Sequence, residues 1–106
     1  MPKLIVLYPP PADVTAFERR YHVEHAPMVQ KIPGLRKFVA AKTLGAPSGA
    51  PAYQRVAELY FDSMETLQEG MGSAAGREAV AHAGELSTGG APVVLIAEDD
   101  KPLRLD

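Results

Sequence analysis

Residues 53–64 read Tyr53-Gln54-Arg55-Val56-Ala57-Glu58-Leu59-Tyr60-Phe61-Asp62-Ser63-Met64, and this stretch carries the fold. Ala57, Leu59 and Phe61 alternate with Val56, Glu58 and Tyr60, a period of two that marks a strand with side chains on both faces. Neither set is built for water alone. The run then stops at Asp62-Ser63, either of which can cap a helix carrying Met64, Leu67 and Met71 at spacings of three and four, with Glu65 as the capping-box partner if Asp62 is the cap. Upstream, Leu35 to Thr43 forms a second extended run around Phe38 and Val39. Gly45-Ala46-Pro47-Ser48-Gly49-Ala50-Pro51 between the runs predicts a hairpin with a long, mobile loop.

Working outward, Lys3 to Tyr8 is a short β-rich run halted by Pro9, Pro10 and Pro11, the expected first strand. Asp13 stands at an N-cap, and Val14, Phe17, Tyr21, Met28 and Ile32 follow at helical spacing until Pro33-Gly34. Pro27 removes an amide donor inside that helix, so a kink or break is expected over residues 23–27. Gly70, Gly72 and Gly76 weaken the middle of the next helical region, and a further piece from Ala74 to about Ala83 precedes the last strand, Pro92 to Glu98. The order β-α-β-β-α-β is the ferredoxin-like α+β arrangement, a four-stranded antiparallel sheet with helices on one face, in a single domain spanning residues 1–106. The bare face asks for a cover. A two-fold partner presenting the same sheet would supply it, giving a homodimer, a dimeric α+β barrel with a cavity between the sheets.

Composition narrows the partners. The 106 residues contain no cysteine, which removes disulfides, thiolate metal sites and a cysteine nucleophile. Eleven Lys and Arg against 13 Asp and Glu give a net charge of −2, with the basic residues scattered, so a nucleic-acid partner is not expected. No apolar stretch approaches the ~20 residues that span a bilayer, and the N-terminus lacks the apolar core of a signal peptide, so no membrane association and a cytoplasmic location are expected. The Gly-rich region 70–90 has neither P-loop nor dinucleotide-binding spacing, and no nucleotide site follows.

Two of the three histidines lie in Phe17-Glu18-Arg19-Arg20-Tyr21-His22-Val23-Glu24-His25-Ala26-Pro27-Met28-Val29. His25 falls on or beside the inward stripe through Phe17, Tyr21 and Met28. An imidazole there suits general acid–base work, and equally suits bonding a backbone carbonyl freed at the Pro27 kink. His22 falls to the flank, where it pairs with Glu18. Glu24 and His25 are adjacent and diverge, and His82 reads as a surface residue. A metal site from Glu18, His22 and His25 is not expected. Glu58 and Tyr60 share a strand face and would meet a cavity on that side, with a carboxylate near Arg36 or Arg55 as the plain alternative. Tyr8, Tyr21 and Tyr53 are amphipathic edges able to place a hydroxyl on a ligand.

Several of these residues together resemble the EthD family, named for ethyl tert-butyl ether degradation. The likeness is carried by Phe17-x3-Tyr21-x3-His25-Ala26-Pro27-Met28, Ile32-Pro33-Gly34-Leu35, Glu58-Leu59-Tyr60-Phe61-Asp62-Ser63-Met64 and Thr88-Gly89-Gly90. The resemblance implies a dimeric α+β barrel and maps the family histidine onto His25. Relatives on the fold include isomerases, cyclases and cofactor-poor monooxygenases, among which fold alone does not choose. The expected activity is isomerase, cyclase or lactone-type acid–base chemistry on a small apolar organic molecule in catabolic or secondary metabolism. His25 would be catalytic, with Tyr8, Tyr21, Glu58 and Tyr60 on the substrate and no cofactor. The alternatives are a non-catalytic dimeric binding protein or accessory to a degradative oxygenase, and a cofactor-poor monooxygenase.

Overall fold

A computed structural model describes residues 1–102 of the chain. The strands are β1 (Pro2–Tyr8), β2 (Lys37–Lys42), β3 (Arg55–Tyr60) and β4 (Val93–Glu98), in the antiparallel order β2-β3-β1-β4. The helices are α1 (Val14–Arg20), a π-helical turn over Tyr21–His25, α2 (Ala26–Val29), α3 (Met64–Gly72) and α4 (Ala74–Leu86). This is the ferredoxin-like α+β order that the hydrophobic periods predict.

Alternation in the central strands sorts their side chains. Leu4, Val6 and Tyr8 of β1 and Ala57 and Leu59 of β3 are buried beneath the helices, and Phe17, Tyr21, Val29, Ile32, Leu67 and Leu86 close over them. The opposite face carries Ile5 and Leu7 of β1, Val39 of β2, Val56 of β3 and Val93 and Leu95 of β4, half-buried or exposed. With a two-residue period, one apolar face makes the core and the other stays uncovered by helices.

The caps fall at residues the sequence offered. Asp13 accepts from the Ala16 amide at 3.0 Å, as expected. At α3 the cap is Ser63, whose reciprocal partner is Thr66 rather than Glu65. The helical region breaks at Ser73, which caps α4 in turn. Gly70 is buried where α3 crosses the turn after α2, and a Cβ there would stand 2.5 Å from the Pro33 carbonyl oxygen and 2.9 Å from the Phe61 ring. Its lack of a side chain therefore sets that crossing, beyond any weakening of the helix. The hairpin loop is tied at its base by Thr43, whose hydroxyl donates to the carbonyls of Tyr53 and Gln54, and Ala46 pairs with Gly49 at its tip.

The expected disruption before Pro27 takes the form of the π-helical turn, in which the Ala26 amide donates to the Tyr21 carbonyl five residues back. Proline supplies no amide, and one wide turn absorbs the misfit without breaking the rod. Both ends of that turn, Tyr21 and His25, are buried. The wider turn brings side chains four apart closer to one line than an α-helix would, so both enter the core.

Candidate functional site

The helix–sheet gap is not filled. A cavity of about 390 Å³ lies between the sheet and the helices, walled by Leu4, Val6 and Tyr8 of β1, Ala57 and Leu59 of β3, Ala79 and Ala83 of α4, and Tyr21 and His25 of the π turn. Alanines at three of these positions are too short to close the space. Val80 of α4 and Val94 and Ile96 of β4 also line it, yet each is more than half exposed, so it opens at the β4 edge. This cavity sits inside one protomer, on the helix side, because small residues there under-fill the core.

His25 is 3% exposed and bonded on both ring nitrogens. The Tyr8 hydroxyl lies 3.2 Å from its Nε2, and its Nδ1 lies 3.0 Å from Nδ1 of His82. His82 in turn places Nε2 3.1 Å from a Glu24 carboxylate oxygen. With Glu24 ionised and both rings neutral, one proton arrangement gives every bond a donor. His82 Nε2–H donates to Glu24, His25 Nδ1–H donates to His82, and the Tyr8 hydroxyl donates to the bare Nε2 of His25. The chain runs from the cavity wall to Glu24, whose side chain is 44% exposed.

Burial, with His82 nearby, depresses the His25 pKa from 6.5 to about 4. Burial raises Tyr8, and raises Tyr21 to about 12, so both phenols keep their protons. The hydrogen bond from His82, helped by Arg20, holds Glu24 below the usual carboxylate range. His25 is thus a neutral ring at neutral pH, its Nε2 accepting from Tyr8, one that holds an extra proton poorly and has a neighbour to pass it to.

This depression has a stability consequence. The unfolded chain takes up the His25 proton near pH 6.5 and the folded chain only near 4, so stability from the neutral ring is complete above 6.5 and is lost as pH falls towards 4. A shift of this size corresponds to about 3 kcal/mol. Urea unfolding of the wild type at pH 7 and pH 4.5 should show that fall, and His25→Gln should show distinctly less of it.

A second cluster stands behind Tyr21. Arg55 donates to both carboxylate oxygens of Glu18, at 2.5 and 3.1 Å, and its guanidinium lies 4.6 Å from the centre of the Tyr21 ring. Arg55 holds Glu18 in its ionised form. His22 is exposed and lies 3.3 Å from Arg55 and 3.9 Å from Glu18. Glu18 and His22 thus turn to Arg55 while His25 turns to Tyr8 and His82, so these three do not converge on a metal. The Tyr21 hydroxyl is buried and has no hydrogen-bond partner among the described residues, a situation that costs about 1–3 kcal/mol if left unanswered.

Of the residues singled out from sequence, the fold brings together His25, Tyr8 and Tyr21. It does not bring Glu58 and Tyr60 to them. Those two lie on the opposite sheet face, where the Tyr60 hydroxyl donates to Glu58 at 2.8 Å and Lys3 reaches both at 3.4 Å. The strand period separates them from His25, and the carboxylate pairs with Lys3 rather than Arg36 or Arg55. Tyr53 sits at the base of the hairpin loop, outside the cavity lining. His82, expected on the surface, is buried. Its signal was the spacing Ala79, His82, Ala83, Leu86, an inward stripe on α4. Glu24, set aside as diverging from His25, rejoins it through His82.

An EthD domain model matches residues 9–87, the segment running from the end of β1 to the end of α4. The chain belongs to the EthD family. An EthD family protein from Bacillus halodurans C-125 is 35% identical, covers 94% of this EthD chain and 99% of its own, and superposes with a TM-score of 0.90. An EthD-like protein from Ralstonia eutropha JMP134 is 25% identical over 92% of this chain and 89% of its own, with a TM-score of 0.66. An uncharacterised 11.0 kDa protein in the thcB-thcC intergenic region of Rhodococcus erythropolis is 30% identical over 99 residues, 93% of this EthD chain and 96% of the relative. No helix among the described residues is long and apolar enough to cross a membrane.

Proposed function

We propose that this EthD protein is a small-molecule enzyme that moves a proton on a small, largely apolar organic substrate, with His25 as the proton carrier. The observation that carries the reading is His25 itself, buried against an apolar cavity between the Tyr8 hydroxyl and the His82–Glu24 pair. A neutral ring there receives a proton in a water-poor space, and His82 offers it an onward path. Isomerisation, cyclisation or lactone chemistry fits this equipment, since each needs proton transfer and no net redox change. Tyr8 and Tyr21 stand where a tyrosine would fix or polarise the substrate. Glu58 and Tyr60 would serve a substrate only from the other sheet face.

Incubating the protein with small ketones, lactones and ethers in deuterated buffer, and following solvent deuterium into carbon positions by mass spectrometry, tests the reading. Incorporation above the buffer rate supports it. A second reading, a non-catalytic carrier or accessory protein, is favoured by the fact that both His25 nitrogens already have protein partners. A ligand that stays bound and unchanged through long incubation would decide for the carrier.

The working form we propose is a homodimer. The support is the helix-free sheet face, where Leu95 is 49% and Val93 37% exposed beside Ile5 and Leu7. Leu95→Asp places a charge in that patch, and light scattering of the eluting peak should find monomers where the wild type gives dimers. Dimers of unchanged mass in Leu95→Asp would remove this face as the interface.

A further inference from the structure

Tyr21 is the unexplained member of the site. Every other polar group at the buried end of the cavity is engaged: Tyr8 with His25, His25 with His82. Tyr21 lines the same cavity, is 1% exposed, and its hydroxyl has no partner among the described residues. Buried hydroxyls in folded proteins are nearly always bonded, and an orphan on a residue that lines a ligand space marks a place for a ligand atom. The lining contains no Lys, Arg, Asp or Glu among the described residues; its remaining polar side chain, Gln68, is solvent-exposed.

We infer that the cavity receives an uncharged, predominantly apolar molecule bearing a carbonyl oxygen, and that the Tyr21 hydroxyl donates its hydrogen bond to that oxygen. The absence of charged lining groups disfavours carboxylates and phosphates, which would lose their hydration with no counter-charge in return. The Arg55 guanidinium against the Tyr21 ring draws electron density from it and makes the hydroxyl a better donor. The phenol also stays protonated, as a donor must.

The choice of a carbonyl over an ether or alcohol oxygen rests on the reading of His25 as proton carrier. A carbonyl makes the neighbouring C–H acidic. As that bond breaks, its electron pair forms the new C=C bond and the carbonyl π pair moves to oxygen, where Tyr21 stabilises the charge. The proton passes to the Tyr8 oxygen while the Tyr8 proton passes to Nε2 of His25. Returning the proton to the same or a conjugated carbon completes an isomerisation with no other reactant.

The test compares 2-tetralone, its hydrocarbon match tetralin and the charged 2-naphthoate, by calorimetric dissociation constants on wild type and Tyr21→Phe. The ketone should bind about tenfold more tightly than tetralin to the wild type, the worth of one hydrogen bond, and naphthoate should bind weakest. In Tyr21→Phe the ketone preference should vanish. The infrared carbonyl stretch of 2-tetralone bound to the wild type should shift to lower wavenumber, a readout that needs no variant. A preference that survives in Tyr21→Phe, an unshifted stretch, naphthoate as the tightest ligand, or no binding by any of the three overturns the inference. Deuterium exchange into bound 2-tetralone is scored separately. A Tyr21-dependent ketone preference without exchange supports the ligand assignment while overturning proton transfer by His25.

Discussion

His25→Gln should lower turnover of a true substrate by about 10²- to 10⁴-fold, the usual share of a general acid–base group. Glutamine keeps a hydrogen-bonding side chain on the π turn but cannot carry a proton. The effect should fall on kcat more than on KM, since the cavity walls remain. Far-UV circular dichroism should be unchanged. The wild-type rate should hold level from neutral pH downward and fall only as pH approaches about 4, where the buried ring itself becomes protonated. An acid limb near 6.5 would mean that a different, solvated group carries the proton. His82→Gln should cost no more than His25→Gln, because it leaves the carrier in place and disturbs which nitrogen holds its proton. A His25→Gln enzyme with wild-type turnover would leave His25 a packing residue.

The second large effect concerns stability. Glu18→Ala should lower unfolding free energy by about 2–4 kcal/mol, at and below the range for breaking a buried pair because Glu18 is partly open to water. The Arg55 side chain is 5% exposed, so removing its carboxylate leaves a cation in the interior with His22 and the Tyr21 ring as company. A fall in Tm on the order of 10–20 °C is expected for a domain of this size. Adding Arg55→Met to Glu18→Ala should recover a good part of the loss, since no charge is then stranded. A Tm unchanged in Glu18→Ala would mean that water reaches Arg55 freely.

The fold was legible because the two hydrophobic periods are clean where they matter: Leu4, Val6 and Tyr8 in β1, Ala57 and Leu59 in β3, Phe17 and Tyr21 in α1 and the turn after it. The disruption before Pro27 was legible too, as proline chemistry. Its form as a π turn was not, because nothing local distinguishes a break from one widened turn. The site was half legible. His25, Tyr8 and Tyr21 each lie on an inward stripe, but His82 approaches from 57 residues away, and its Ala/Gly-rich surroundings looked like surface. Glu58 and Tyr60 show the opposite case. Their shared strand face was read correctly, and it points away from the cavity inside the protomer, where alanines in β3 and α4 left room.

The π turn also sets where this chain can change length. The hairpin loop over residues 43–54 hangs from two strands already in register, with Leu44 almost wholly exposed, and extra residues there lengthen an excursion without moving anything else. Between Tyr21 and Pro27 the helix already carries its one surplus residue. Deleting a residue would swing His25 out of line with Tyr8 and His82, and adding another would turn Val29 and Ile32 off the sheet. Insertions are tolerated in the longer segment and forbidden in the shorter one. A library of single-residue insertions and deletions across the chain would map that contrast directly.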